Sequence, residues 1–152
     1  MRVSCVRRAP SATSGKARDS FFVVRTDGTE VTWTFPSYGD GLPHDLVHLV
    51  VESACGIARG FWGLVDGGAD PARVNAVANR TVGKLADKYA AFGDDSELVR
   101  AEALANGGWT AHERASEIRR TLDALQARWA ALKPNEALVL AFPLAALDGD
   151  GC

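Results

Sequence analysis

The sequence predicts an α+β fold: a small, mostly antiparallel sheet, made of an N-terminal hairpin and a C-terminal strand, packed by three to four helices. Three observations carry this. Residues 21–35 alternate apolar and polar side chains around Asp27-Gly28, the pattern of a hairpin with one buried face. Apolar residues then recur at helical spacing, as in Ile118, Leu122, Leu125, Trp129 and Leu132. Finally, Ala137-Leu138-Val139-Leu140-Ala141 reads as a buried strand, and an isolated hairpin needs further strands or helices against it. At 152 residues the chain fits a single domain, 1–152, whose core needs no disulfide or metal staple.

In chain order, Met1–Val6 is a short strand, and 7–20, rich in Ser, Ala, Gly and charge, is a flexible loop. Phe21–Arg25 and Glu30–Phe35 form the hairpin, with Val31, Trp33 and Phe35 on its buried face, and Pro36 ends it. Tyr38-Gly39-Asp40-Gly41 turns the chain into a helix expected over 43–58. Pro43 opens it, because its fixed φ and missing N–H suit the first helical position. Gly60 to Gly68 is read as a tight, packed connection. Asp70 and Pro71 open a helix toward Phe92, and Ser96 begins a shorter one toward Ala105. Asn106-Gly107-Gly108 breaks it. Thr110 and Glu113 have capping-box spacing for a long helix stopped at Lys133-Pro134-Asn135. Residues 136–142 form the last strand, and about 145–152 a frayed tail.

A net charge of −2 argues against a nucleic-acid partner held by a basic surface. No apolar run approaches the ~18 residues of a membrane span, and none at the N-terminus resembles a signal peptide. Cys5, Cys55 and Cys152 have unrelated spacings and no C-x-x-C, which points to a reducing compartment without a disulfide framework. The expected location is the cytoplasm. The expected partner is a small polar molecule or another protein, with neither nucleic acid nor membrane.

The chemistry concentrates in the helix that follows Pro43. At about 100° per residue, His44, His48, Glu52, Asp45 and Cys55 share one narrow wedge. Leu46, Val47, Leu49, Val50, Val51 and Ile57 cover most of the remaining circumference. A helix this apolar is enclosed, and an enclosed wedge of imidazoles and carboxylates is costly unless its members are paired or ligating. His44 and His48, at i and i+4, can present two ring nitrogens to one divalent ion such as zinc, copper or iron. Glu52 lies about 12 Å of helical rise from His44, too far to share that ion, so it is placed behind His48 as an orienting group. The third ligand must come from elsewhere. His112 is the first choice as the other imidazole, with Glu97, Glu102, Glu113 and Asp87 as the remaining candidates on later helices and Tyr38 and Asp40 at the rim. Asp45 and Glu52 are the candidate catalytic carboxylates. The expected function is metal binding, with metal-dependent hydrolysis or oxidation as the enzymatic form. The alternative is a non-catalytic ligand-binding or protein-interaction module with structural histidines.

His44-Asp45-Leu46-Val47-His48 resembles in part the H-E-x-x-H helix of zincin metalloproteases. Here Asp replaces the Glu and the pair lies in the first turn, so the zincin assignment is not adopted. Leu42-Pro43-His44-Asp45-Leu46-Val47-His48, followed by Gly60-Phe61-Trp62-Gly63, resembles a segment of small uncharacterised proteins of high-GC bacteria. That resemblance implies no catalytic residues, only that the two segments belong to one structural unit.

Overall fold

The computed structural model describes residues 1–78, 94 and 96–145. Four antiparallel strands, β1 (Arg2–Val6), β2 (Arg18–Val24), β3 (Glu30–Pro36) and β4 (Ala137–Ala141), form one sheet in the order β3-β2-β1-β4. Its helices are α1 (His44–Ala54), α2 (Phe61–Asp66), α3 (Pro71–Ala78), α4 (Ser96–Ala105) and α5 (Ala115–Ala130), with a 3-10 turn over Gly108–Ala111. This is the α+β architecture the alternation implies. The C-terminal strand joins the sheet by pairing with β1, Cys5 opposite Leu138.

Period-two alternation decides which face the helices cover. Val3, Cys5, Phe21, Val23, Leu138 and Leu140 are buried on one face, whereas Phe22 and Val139 on the other are about half exposed. Phe21 stacks on Trp33 and Phe35, its neighbours on β3, with ring centroids 4.9 and 5.0 Å away, and Trp62 of α2 meets it edge-on at 5.5 Å. This aromatic layer joins the sheet to the helices.

Four local readings are corrected. β2 begins at Arg18 instead of 21, because Asp19 and Ser20 pair with Phe35 and Thr34 and are buried. α1 stops at Ala54 instead of 58. Gly56 takes φ +64°, its N–H reaches Ser53 O at 3.4 Å and the Ile57 N–H reaches Glu52 O at 2.9 Å, the bond pattern of a Schellman C-cap. Residues 60–68, read as a connection, contain α2. Thr110 does not cap the long helix: it sits in the 3-10 turn with its hydroxyl on Gly107 O, and α5 starts at Ala115 behind Arg114. The expected helix extension to Phe92 falls mostly outside the described residues, as do 146–152 of the tail. No helix among the described residues is long and apolar enough to cross a membrane.

The turn before α1 is held from α5. The Gln126 side chain accepts the Leu42 N–H at 2.7 Å, and the Trp129 indole donates to Gly39 O at 3.2 Å. Arg7 pairs with Asp40 on the same turn. These bonds fix where the histidine helix begins.

Candidate metal centre

Leu46, Leu49, Val50 and Val51 bury the apolar arc of α1, leaving its polar wedge toward α2 and α4. His48 is almost fully buried and Glu52 is 1% exposed. One turn apart on the helix, they meet: His48 Nδ1 lies 2.9 Å from Glu52 Oε1. The other ring nitrogen, Nε2, lies 2.7 Å from Glu102 Oε2 on α4. The second Glu102 oxygen is 3.5 Å from His44 Nε2 and 2.8 Å from the Asn106 amide, which donates to it. The His44 and His48 rings pack edge to face, centroids 4.9 Å apart.

Glu52 is held from its far side as well. Its Oε1 accepts the Phe61 N–H at 2.8 Å and its Oε2 the Trp62 N–H at 3.0 Å, so it caps the start of α2. This explains the glycines around Phe61-Trp62. A Cβ on Gly60 would come within 2.7 Å of all three Glu52 carboxyl atoms, and one on Gly63 within 1.7 Å of the Ala58 carbonyl oxygen. Gly-Phe-Trp-Gly is therefore packed at Gly60 against the Glu52 carboxylate of the histidine helix and at Gly63 against the backbone of the connection at Ala58. The Trp62 indole N–H donates to Asp45 O at 2.7 Å and closes the other end of the contact.

The electrostatics follow from this placement. Burial by itself would lower the His48 pKa, but hydrogen bonds and charge from Glu102 and Glu52 outweigh it and raise it to about 9. His48 is thus an imidazolium held between two carboxylates. Partial burial works to raise Glu102, yet bonds from His44, His48 and Asn106 hold it well below the usual carboxylate range. Burial raises the Glu52 pKa against the pull of His48 and the two backbone N–H groups. The Phe61 and Trp62 N–H groups and the His48 ring together contact both of its oxygens. Asp45 is raised by burial, opposed by His48, His44, the Asn75 amide and the Trp33 indole. Among the described residues the Trp33 Nε1–H has no partner of ordinary hydrogen-bond geometry, so its effect on Asp45 is that of a nearby dipole.

His44, His48 and Glu102 each offer a ligand atom, all within 4.8 Å of one another. The two histidines singled out from the sequence lie together, and the carboxylate beside them is Glu102, one of the later-helix candidates. His112 lies outside this cluster, accepting the Arg114 N–H on Nδ1 at 3.1 Å. Glu52 stands behind His48, as the helical rise requires. Asp45 and Tyr38 border a separate cavity beside His44. Asp40 is engaged with Arg7, and Glu97 accepts the Ala58 N–H at 3.1 Å. Asp87 lies outside the described residues. The signal for Glu102 is its place one turn before Asn106 on an otherwise apolar helix face, with Leu98, Ala101 and Ala105 buried. No family model, no curated protein and no solved structure matches this chain, so its function is read from the chemistry of this cluster.

Proposed function

We propose that His44, His48 and Glu102 bind one divalent transition-metal ion, zinc, copper or iron, with Glu52 orienting His48. The observation that carries this reading is the convergence of three ligand atoms within 4.8 Å, with a carboxylate on the far nitrogen of the buried histidine. Ligand atoms around a tetrahedral ion at about 2.1 Å are roughly 3.4 Å apart, so small side-chain rotations suffice. A carboxylate behind a ligating imidazole fixes its tautomer and raises its basicity. Two histidines and one glutamate leave further coordination positions open, the arrangement used for hydrolysis by zinc and for oxidation by iron. A cavity lined in part by His44 and Asp45 supports a small-substrate form of this reading.

Metal binding here is a proton exchange. With its pKa at about 9, His48 must release the Nε2 proton to take an ion. Affinity therefore rises about tenfold per pH unit as the pH climbs toward 9. Elemental analysis of untagged protein and zinc titration at two pH values test the reading. One equivalent of zinc, lost in His44→Ala and Glu102→Gln and retained in His112→Ala, is the expected result. Folded wild type that takes up no zinc, copper or iron at either pH defeats it.

The alternative, a non-catalytic ligand-binding or interaction module with structural histidines, draws on a specific observation. Both His48 nitrogens are satisfied by carboxylates without an ion. On that reading the titration shows no uptake, and Glu102→Gln loses stability alone.

A further inference from the structure

Among the described residues β4 is the last strand of the sheet, beside β1 in the order β3-β2-β1-β4. Its residues, Ala137-Leu138-Val139-Leu140-Ala141, read the same in both directions. We propose that this edge pairs antiparallel with β4 of a second copy of the chain, about a twofold axis through Val139, to form one continuous sheet. The surface is separate from the metal cluster and uses none of its residues.

The edge is unguarded. Strand edges that stay single carry charges, prolines or bulges, because their free N–H and C=O groups template further pairing. β3, on the opposite side of the sheet, carries Glu30 and ends on Pro36. β4 has neither a charge nor a proline, and Ala137, Val139 and Ala141 are exposed, Val139 at 51%.

The ladder to β1 fixes which backbone groups face outward. The Phe142 N–H reaches Met1 O at 3.0 Å and the Arg7 N–H reaches Glu136 O at 3.0 Å, bonds between directly opposite residues. In an antiparallel ladder such bonded pairs alternate with unbonded ones. Leu138 and Leu140 therefore turn their backbone groups to Cys5 and Val3, and Ala137, Val139 and Ala141 turn theirs to the open edge. Pairing centred on Val139 sets outward residues opposite outward residues. The two Val139 residues exchange a pair of bonds, and each Ala137 exchanges another pair with Ala141 of the second copy. A shift by two residues leaves fewer such pairs within the strand. Pro143, the next outward position, has no N–H to extend the ladder.

Side chains match as well. The axis stands normal to the sheet, so the helix-covered face of both copies lies on the same side. Leu138 and Leu140, 2% and 7% exposed, come opposite Leu140 and Leu138 of the second copy and prolong the core, and Val139 meets Val139 on the open face. One patch thus serves both copies, as a twofold interface requires. A strand of unrelated sequence can form the same hydrogen bonds but not this match of each side chain with its equal.

Sedimentation velocity from about 10 μM to about 1 mM, with amide hydrogen exchange, tests the proposal. The mass should rise toward twice that of the chain. Protection of the Ala137, Val139 and Ala141 amides should grow with concentration, while Leu138 and Leu140 are protected throughout. Val139→Lys and Val139→Glu, at an exposed position, set like charges opposite each other and should each weaken dimerisation at least about tenfold. Mixing the two variants should restore it, because an axis through residue 139 puts these side chains face to face. The proposal is overturned by wild type that stays monomeric over this range, or by Val139 protection independent of concentration, as another segment of the same chain would give. A Val139→Lys dimer as tight as wild type, or no recovery on mixing, overturns it as well. Should a variant fail to fold, seen by circular dichroism, the exchange pattern of wild type decides alone.

Discussion

Glu52 joins the most structure through the fewest atoms. Its two oxygens take the His48 ring and the first two N–H groups of α2, all while 1% exposed. Glu52→Gln preserves the shape but turns an NH₂ group toward at least one of these donors. Breaking a buried charged pair in this way costs about 3–5 kcal/mol, and urea unfolding should show a loss of that order. The same substitution releases His48 from orientation, so zinc affinity should fall about 10- to 100-fold where folding survives. Gly60 depends on the same carboxylate. Gly60→Ala drives a methyl group into it and should cost about 1–3 kcal/mol, read by the shift in the urea midpoint.

At the level of elements, α1 is a helix whose C-terminal end is set by backbone geometry. Its C-terminus turns on Gly56 in the left-handed region, with open space around a Cβ there. Gly56→Ala therefore isolates the conformational cost, expected at about 1–2 kcal/mol by thermal or chemical unfolding. Gly63→Ala, where a Cβ would meet the Ala58 carbonyl at 1.7 Å, should cost more than Gly56→Ala, because backbone must move. Equal losses would show that the approach of α2 to the backbone at Ala58 is not tight. α4 contributes through Glu102 to the cluster, with Leu98, Ala101 and Ala105 buried beside it on the same face. A short helix with two half-buried acids, Glu97 and Glu102, is the element whose role sequence periodicity is least able to reveal.

For the whole molecule, the His48 imidazolium ties stability to pH. Its folded pKa, about 9, exceeds the ordinary 6.5, so the folded state holds the proton more tightly than the unfolded chain. The contribution is complete below pH 6.5 and disappears as pH rises through 9, an amount of about 3 kcal/mol. Urea unfolding of metal-free protein from pH 6 to 10 should show that decline, and Glu102→Gln should flatten it. A wild-type curve flat across the window would mean that His48 is neutral in the fold. Much of this molecule was legible in the chain itself. Strand alternation with Asp27-Gly28 determined the hairpin, the apolar arc of α1 determined that His44, His48 and Glu52 share an enclosed wedge, and helical rise determined that Glu52 serves His48 and not His44. These are local regularities, repeating every two or about 3.6 residues. Tertiary structure alone decided that Glu102 stands against both histidines while His112 bonds to its own turn, that residues 61–66 coil into a helix capped by Glu52, and that Thr110 caps nothing. Each depends on the packing of elements far apart in sequence. The carboxylate that reaches the Nε2 side of the buried His48 is chosen by the position of α4 against α1, a distance no spacing along the chain encodes.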